Sequence, residues 1–224
     1  MDLKKKELIE ETPASLGAHA VKLYMFSKDY DLAETYFEKF RRTRQSNDDV
    51  FRLYTCEYAS FLTVVRKDVE KAMLLYEEVL QTDPTHCMAL GNLAMLKHQI
   101  GRFEEAHTLY EKSIANHPNH ATIVASFANL IKVWKKDYVR SKQLFEKAIS
   151  ISSEDTELLG NYAVLLHGHM KEYDSAEKAY RRSIEAPGGT SIIYKPKVTD
   201  STILNIQVRT MQAHSVITLS FFVM

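Results

Sequence analysis

The feature that most constrains this chain is a self-similar pattern that returns every 34 or 35 residues. A small residue recurs at Ala59, Ala94, Ala128 and Ala163, and a second at Ala72, Ala106, Ser141 and Ala176. An aromatic follows the second at Tyr76, Tyr110, Phe145 and Tyr180. Registers that agree over four copies are not chance. A weaker fifth copy lies upstream, with Ala20, Tyr30, Ala33, Phe37 and Phe40. Ala20 precedes Ala59 by 39 residues, so the polar stretch from Thr43 to Asp48, which has no apolar periodicity, reads as a lengthened loop.

Within each copy the apolar residues fall at helical spacing. They occupy positions 72, 75, 76, 79 and 80, then 106, 109, 110 and 114, then 144, 145, 148 and 149. This is the stripe of an amphipathic helix. The helix before each of these is apolar over more of its circumference, as in Val124, Phe127, Ala128, Leu130 and Ile131, or Leu159, Tyr162, Ala163, Leu165 and Leu166. Such a helix must touch neighbours on two sides. Alanines such as Ala94 and Ala106 let backbones approach, and Tyr110 fills the space beside them. Asp83-Pro84 and His117-Pro118 end two of the second helices, because the residue before proline is driven out of the helical region. One helix pair cannot cover both of its apolar faces, so stability must come from stacking.

These marks resemble the tetratricopeptide repeat family. The best copy is residues 87–120, with Leu90, Leu93, Ala94, Phe103, Ala106, Tyr110, Ser113 and Pro118 in the family's places. The resemblance implies an all-α fold, a right-handed α-solenoid of helix–turn–helix repeats whose concave face is lined by first helices. The array spans residues 14–187 as about five hairpins, after a charged segment at 1–13. There are departures from the family pattern. Only the copy at 87–120 has the usual turn glycine, Gly101; the others carry one extra residue at the turn, as at Lys135-Lys136-Asp137-Tyr138 and Lys171-Glu172-Tyr173. The closing proline is replaced near Ser153.

Pro187-Gly188-Gly189 breaks the last helix, and residues 188–224 form an irregular or weakly β extension. Ile203 to Arg209 mostly alternates, and Val216 to Val223 is β-branched and aromatic. Two readings stand for this tail: a crude cap over the last hairpin, or an aggregation-prone extension.

Composition narrows the function classes. The 29 basic and 29 acidic residues balance, which gives no electrostatic reason to expect nucleic acid or an anionic membrane. The basic start lacks the apolar run of a signal peptide, and the apolar tail is shorter than the roughly 20 residues of a membrane helix. Cys56 and Cys87 make neither a disulfide framework nor a metal spacing. A cytoplasmic protein without cofactor is expected. There is no glycine-rich phosphate loop, and His117, His120, His167 and His169 read as turn and surface histidines without further ligands for zinc. The chain is not expected to be an enzyme.

The resemblance places the concave side chains on one face of each first helix. The candidate peptide-groove residues are Met88, Asn92, Met95 and His98, then Asn129 and Lys132, then Asn161, Val164 and His167. A side-chain amide donates and accepts at once, so Asn92, Asn129 and Asn161 suit clamping an extended peptide backbone. Cys56, Gly91, Ala125 and Gly160 leave room beside them. The two-carboxylate clamp used by chaperone-binding members is missing: the places flanking Asn92 hold Cys56, Ser60, Thr122 and Ser126. Pairs such as Glu38-Lys39, Glu111-Lys112 and Glu146-Lys147 read as solvated surface. The expected function is therefore a binding module for a protein or peptide partner. The rivals are a self-associating scaffold and, lacking the basic face it would need, an RNA-processing helical-repeat factor.

Overall fold

Each copy of the repeat becomes a helical hairpin in the computed structural model, which describes residues 12–43 and 49–186. The expectations for residues 1–11, for the loop at 44–48 and for the tail from 187 onward lie outside the described residues. The described chain is all-α: α1 Pro13–Lys22, α2 Tyr30–Arg42, α3 Asp49–Phe61, α4 Val69–Thr82, α5 Cys87–Gln99, α6 Phe103–Asn116, α7 Ala121–Leu130, α8 Tyr138–Ile151, α9 Thr156–Leu165 and α10 Tyr173–Glu185. Two compact units divide between Pro118 and Asn119, the first holding α1–α6 and the second α7–α10.

Six of the described helices start where a side chain accepts an orphan backbone N–H. Thr12 and Ser15 form a reciprocal capping box ahead of Pro13. Asp29, Asp68, Asp137 and Asp155 accept from Leu32, Lys71, Arg140 and Leu158 at 3.2, 3.0, 2.9 and 3.0 Å. The extra residue at the intra-hairpin turns is absorbed in a distinctive way. Four first helices widen into a π-helical turn, at Leu23–Ser27, Leu62–Arg66, Ile131–Lys135 and Leu166–Met170. Each then leaves the helix through a lysine in the left-handed region, Lys28, Lys67, Lys136 or Lys171, with φ between 54° and 60°. The copy with Gly101 needs no widening, and Gly101 takes the left-handed corner at φ 80°.

In the first unit the repeat alanines Ala20, Ala33, Ala59, Ala72, Ala94 and Ala106 are wholly buried. The aromatics between them interlock: Phe37 stacks on Tyr58 at 4.9 Å and meets Phe61 at 5.5 Å, and Tyr24 meets Phe61 edge-on at 5.5 Å. A smaller cluster of Leu16, Phe40 and Phe51 closes the space beside Tyr54. Here Gly17 is indispensable, because a Cβ at that position would lie 2.3 Å from the Tyr54 ring. Ion pairs link α2 to the next hairpin: Arg41 to Glu78 at 2.7 Å, Lys71 to Glu38 at 2.8 Å, and Arg66 to Asp31 and Glu34 at 2.6 and 2.8 Å.

In the second unit Ala128, Phe145, Ala148, Ala163 and Leu166 are fully buried, and Ala176, Ala179 and Tyr180 pack against the last two. Ser141, which replaces alanine at a close-approach position, donates its hydroxyl to the Ala128 carbonyl at 2.9 Å, so its polarity is satisfied. Glu38 departs from the solvated-surface reading, since it accepts from Tyr58 and Lys71 and so gives the buried Tyr58 hydroxyl a partner. Glu146 stays exposed, where it accepts from Tyr162 at 3.0 Å.

Candidate functional site

The sequence-derived candidates fall in both units. In the first unit they sit on α5. Met88 packs partly against the main core cluster, and Met95 is half-buried. The Asn92 amide donates to the Tyr76 hydroxyl at 3.1 Å, and that hydroxyl shares a hydrogen bond with Ser60 Oγ at 2.9 Å. One residue from each of α3, α4 and α5 is thereby joined in a chain, and Asn92 is held in one orientation. Among the described residues nothing donates to the Asn92 carbonyl oxygen. His98 meets the Phe103 ring edge-on at 5.9 Å.

In the second unit Asn129 and Lys132 stand one turn apart and are brought together: the Lys132 ammonium donates to Asn129 Oδ1 at 2.7 Å. It also lies 6.0 Å from the centre of the Phe145 ring. Asn161 is half-buried on α9, and Val164 packs against the terminal core cluster. His167 is turned inward, 8% exposed, with its ring edge-on to Tyr173 at 5.5 Å and Tyr180 at 6.4 Å. It therefore offers a partner little surface. The neighbouring small residues Cys56, Gly91, Ala125 and Gly160 are buried as well, and serve close packing.

The tetratricopeptide repeat family matches residues 66–130. That segment carries tetratricopeptide repeats. Solved structures extend the likeness beyond that segment. One titled as the functional characterization of Pseudomonas aeruginosa pilF superposes with a TM-score of 0.67 at 15% identity, over 80% of this chain and 78% of that one. A thermophilic tetratricopeptide protein of Thermus thermophilus gives 0.64 at 16% identity, over 90% and 98%. A tetratricopeptide repeat protein of Parabacteroides merdae gives 0.64 at 17% identity, over 94% and 79%. At these identities the likeness speaks to fold. No curated protein sequence matches the chain significantly.

Burial sets the ionisation of several groups along the first helices. Burial pushes the Cys56 thiol up to about 12, and Glu57 beside it contributes further, so Cys56 is a packing residue and a poor nucleophile. Burial also raises the Glu57 carboxyl above its ordinary value. Desolvation lowers the Lys132 ammonium. Among the described residues no three His, Cys, Asp or Glu side chains converge as a metal site, and no helix is long and apolar enough to cross a membrane. A cavity of about 400 Å³ lies on the outer side of α2, but its Arg66 is held by Asp31 and Glu34 and its Glu38 by Lys71.

Two arrangements were not legible in the sequence. One is Tyr76 as a polar link between Ser60 and Asn92; the other is the triad in which Lys71 donates to both Tyr58 and Glu38 at 2.8 Å. The available signal was a hydroxyl-bearing aromatic at Tyr76, in the register where another copy holds Phe145.

Proposed function

We propose that the chain is a non-catalytic interaction module that takes a peptide or helix on the first-helix faces of its repeats. The tetratricopeptide fold is an interaction and scaffold architecture, and repeats of this kind are in general non-catalytic. The observation that carries the finer reading is the Ser60–Tyr76–Asn92 chain. It fixes an amide whose carbonyl oxygen takes no hydrogen bond from the described residues. A pre-oriented acceptor loses little entropy when a peptide N–H arrives. Met88 and Met95 supply adaptable apolar contact on the same helix, and Asn161 and Val164 offer an amide and an apolar contact on α9 in the second unit. A cytoplasmic setting and a partner other than nucleic acid or membrane accord with the balanced charge.

Replacing Asn92, Asn129 and Asn161 together by alanine should weaken partner binding, measured by calorimetry, while leaving the far-ultraviolet dichroism unchanged. Undiminished affinity would remove these faces from the function. One observation favours the second reading, self-association: Met25 and Phe26 stand 57% and 81% exposed at the first hairpin turn. Under that reading Phe26→Ser lowers a concentration-dependent mass in sedimentation.

A further inference from the structure

All but one of the half-buried carboxylates described in the first unit have partners. Glu34 pairs with Arg66 at 2.8 Å, Glu38 with Lys71 at 2.8 Å, Glu77 with Lys97 at 3.2 Å and Glu78 with Arg41 at 2.7 Å. Asp68 caps α4 through the Lys71 N–H, and Asp83 accepts from Thr85. Glu57 on α3 is the exception. It is half-buried, and among the described residues it takes no hydrogen bond and no ion pair. A partly desolvated carboxylate without a donor is disfavoured, and burial accordingly holds its pKa above the ordinary value.

The surroundings of Glu57 follow from the helix it stands on. Ser60 and Phe61, three and four residues further along α3, share its side of the helix. Phe61 meets the Tyr24 ring edge-on at 5.5 Å, and the Tyr24 ring lies 6.5 Å from that of Tyr30. The Ser60 hydroxyl is bonded to that of Tyr76, which in turn takes the Asn92 amide. Glu57 therefore lies between a pair of tyrosine rings and a fixed amide. The electrostatics agree with this placement. Burial first, then Glu57 and Tyr30, raises the Tyr24 hydroxyl; burial first, with Glu57 among the lesser causes, raises that of Tyr76. A carboxylate, two ring faces and an amide oxygen all attract positive charge. Among the described residues no lysine or arginine pairs with any of them.

We infer that Glu57, flanked by Tyr24 and Tyr30, is a subsite for a lysine or arginine side chain of a bound peptide. This rests on the first-helix faces being the binding surface, and it adds the charge that the face of the first unit selects. A side chain suits the site better than a free amino terminus. Its apolar stem can lie along the Tyr24 ring and carry the charge down to a carboxylate sunk below the surface. A terminal amine has no such reach. A charge-assisted hydrogen bond made there changes affinity by roughly tenfold or more.

The test uses the full chain and two synthetic libraries of random octapeptides, one acetylated at the N-terminus and one with the amine free. Peptides retained from the acetylated library should carry lysine or arginine at one preferred position. Remaking such a peptide with glutamine there should weaken its binding about tenfold. Glu57→Gln should abolish that discrimination, and should melt no lower than wild type, because it removes a charge that has no partner. A clearly lowered melting temperature would give Glu57 a structural role and overturn the subsite. Selection seen only with the free amine, and blind to side chains, would overturn the side chain as occupant. Retention of basic and neutral peptides alike, falling with Asn92→Ala and indifferent to Glu57→Gln, would overturn the subsite and leave the binding face standing. Retention of no peptide from either library would overturn both.

Discussion

His86 shows how one side chain can tie a helix to pH. Its Nδ1 accepts the Ala89 N–H at 3.3 Å at the start of α5, and Cys56 Sγ lies 3.9 Å from the same nitrogen. Only the neutral ring can accept there. Burial lowers the His86 pKa below 6.5, Arg52 and His117 act in the same sense, and Asp83 and Asp49 oppose them. A group with a depressed folded pKa contributes stability that is present above its unfolded pKa and lost as pH falls through the folded value. The melting temperature should therefore decline from pH 7 toward pH 5 by a part that His86→Asn removes, since asparagine caps without titrating. An unchanged slope in the variant would show that the cap does not govern the decline. At the same scale, Gly17 could not be singled out from the sequence. Its necessity comes from the Tyr54 ring, a contact between α1 and α3 that no local pattern encodes.

At the scale of elements, the hairpin turns divide into two solutions of one geometric problem. Gly101 reaches the left-handed region without hindrance, whereas Lys28, Lys67, Lys136 and Lys171 hold φ near +55° to +60° against the clash of Cβ with the backbone. The strain is tolerated because the turn that follows satisfies the backbone: Asp68 N–H reaches the Leu62 carbonyl at 3.1 Å, and Asp68 itself caps α4. Lys67→Gly and Lys136→Gly should each stabilise the protein by roughly 0.5–1 kcal/mol in urea unfolding, the relief outweighing glycine's larger unfolded-state entropy. Lys67→Ala should give almost no gain, since alanine meets the same clash. The extra turn residue was visible in the sequence, but its form as a π-helical widening was not. The widened turn is closed by the N–H of the residue that begins the next helix, as Asp29, Asp68 and Glu172 bond the carbonyls of Leu23, Leu62 and Leu166.

At the scale of the whole molecule, the first unit concentrates groups whose ionisation its core resists. Burial raises Tyr58 and Tyr76 to about 12, and Cys56 to about 12 as well. A raised folded pKa gives stability that is complete below the unfolded value, near 10 for tyrosine, and disappears as pH rises through the folded one. Alkaline titration should therefore show a late fraction of tyrosinate absorbance, appearing between about pH 10 and 12 together with loss of helical dichroism. Tyrosinate forming ahead of the loss of helix would mean that these hydroxyls ionise inside the folded protein.

The hairpins, their period and the inward set of alanines and aromatics were legible along the chain, because helical spacing and close approach depend on residues near one another in it. The family resemblance implied that Asn92, Asn129, Asn161 and Lys132 share the first-helix faces. What those residues meet came from the packing of the helices: Asn92 bound to Tyr76, Lys132 held by Asn129, His167 folded inward. Hydrogen bonding and desolvation depend on atoms from different helices, and a one-dimensional pattern does not carry their distances.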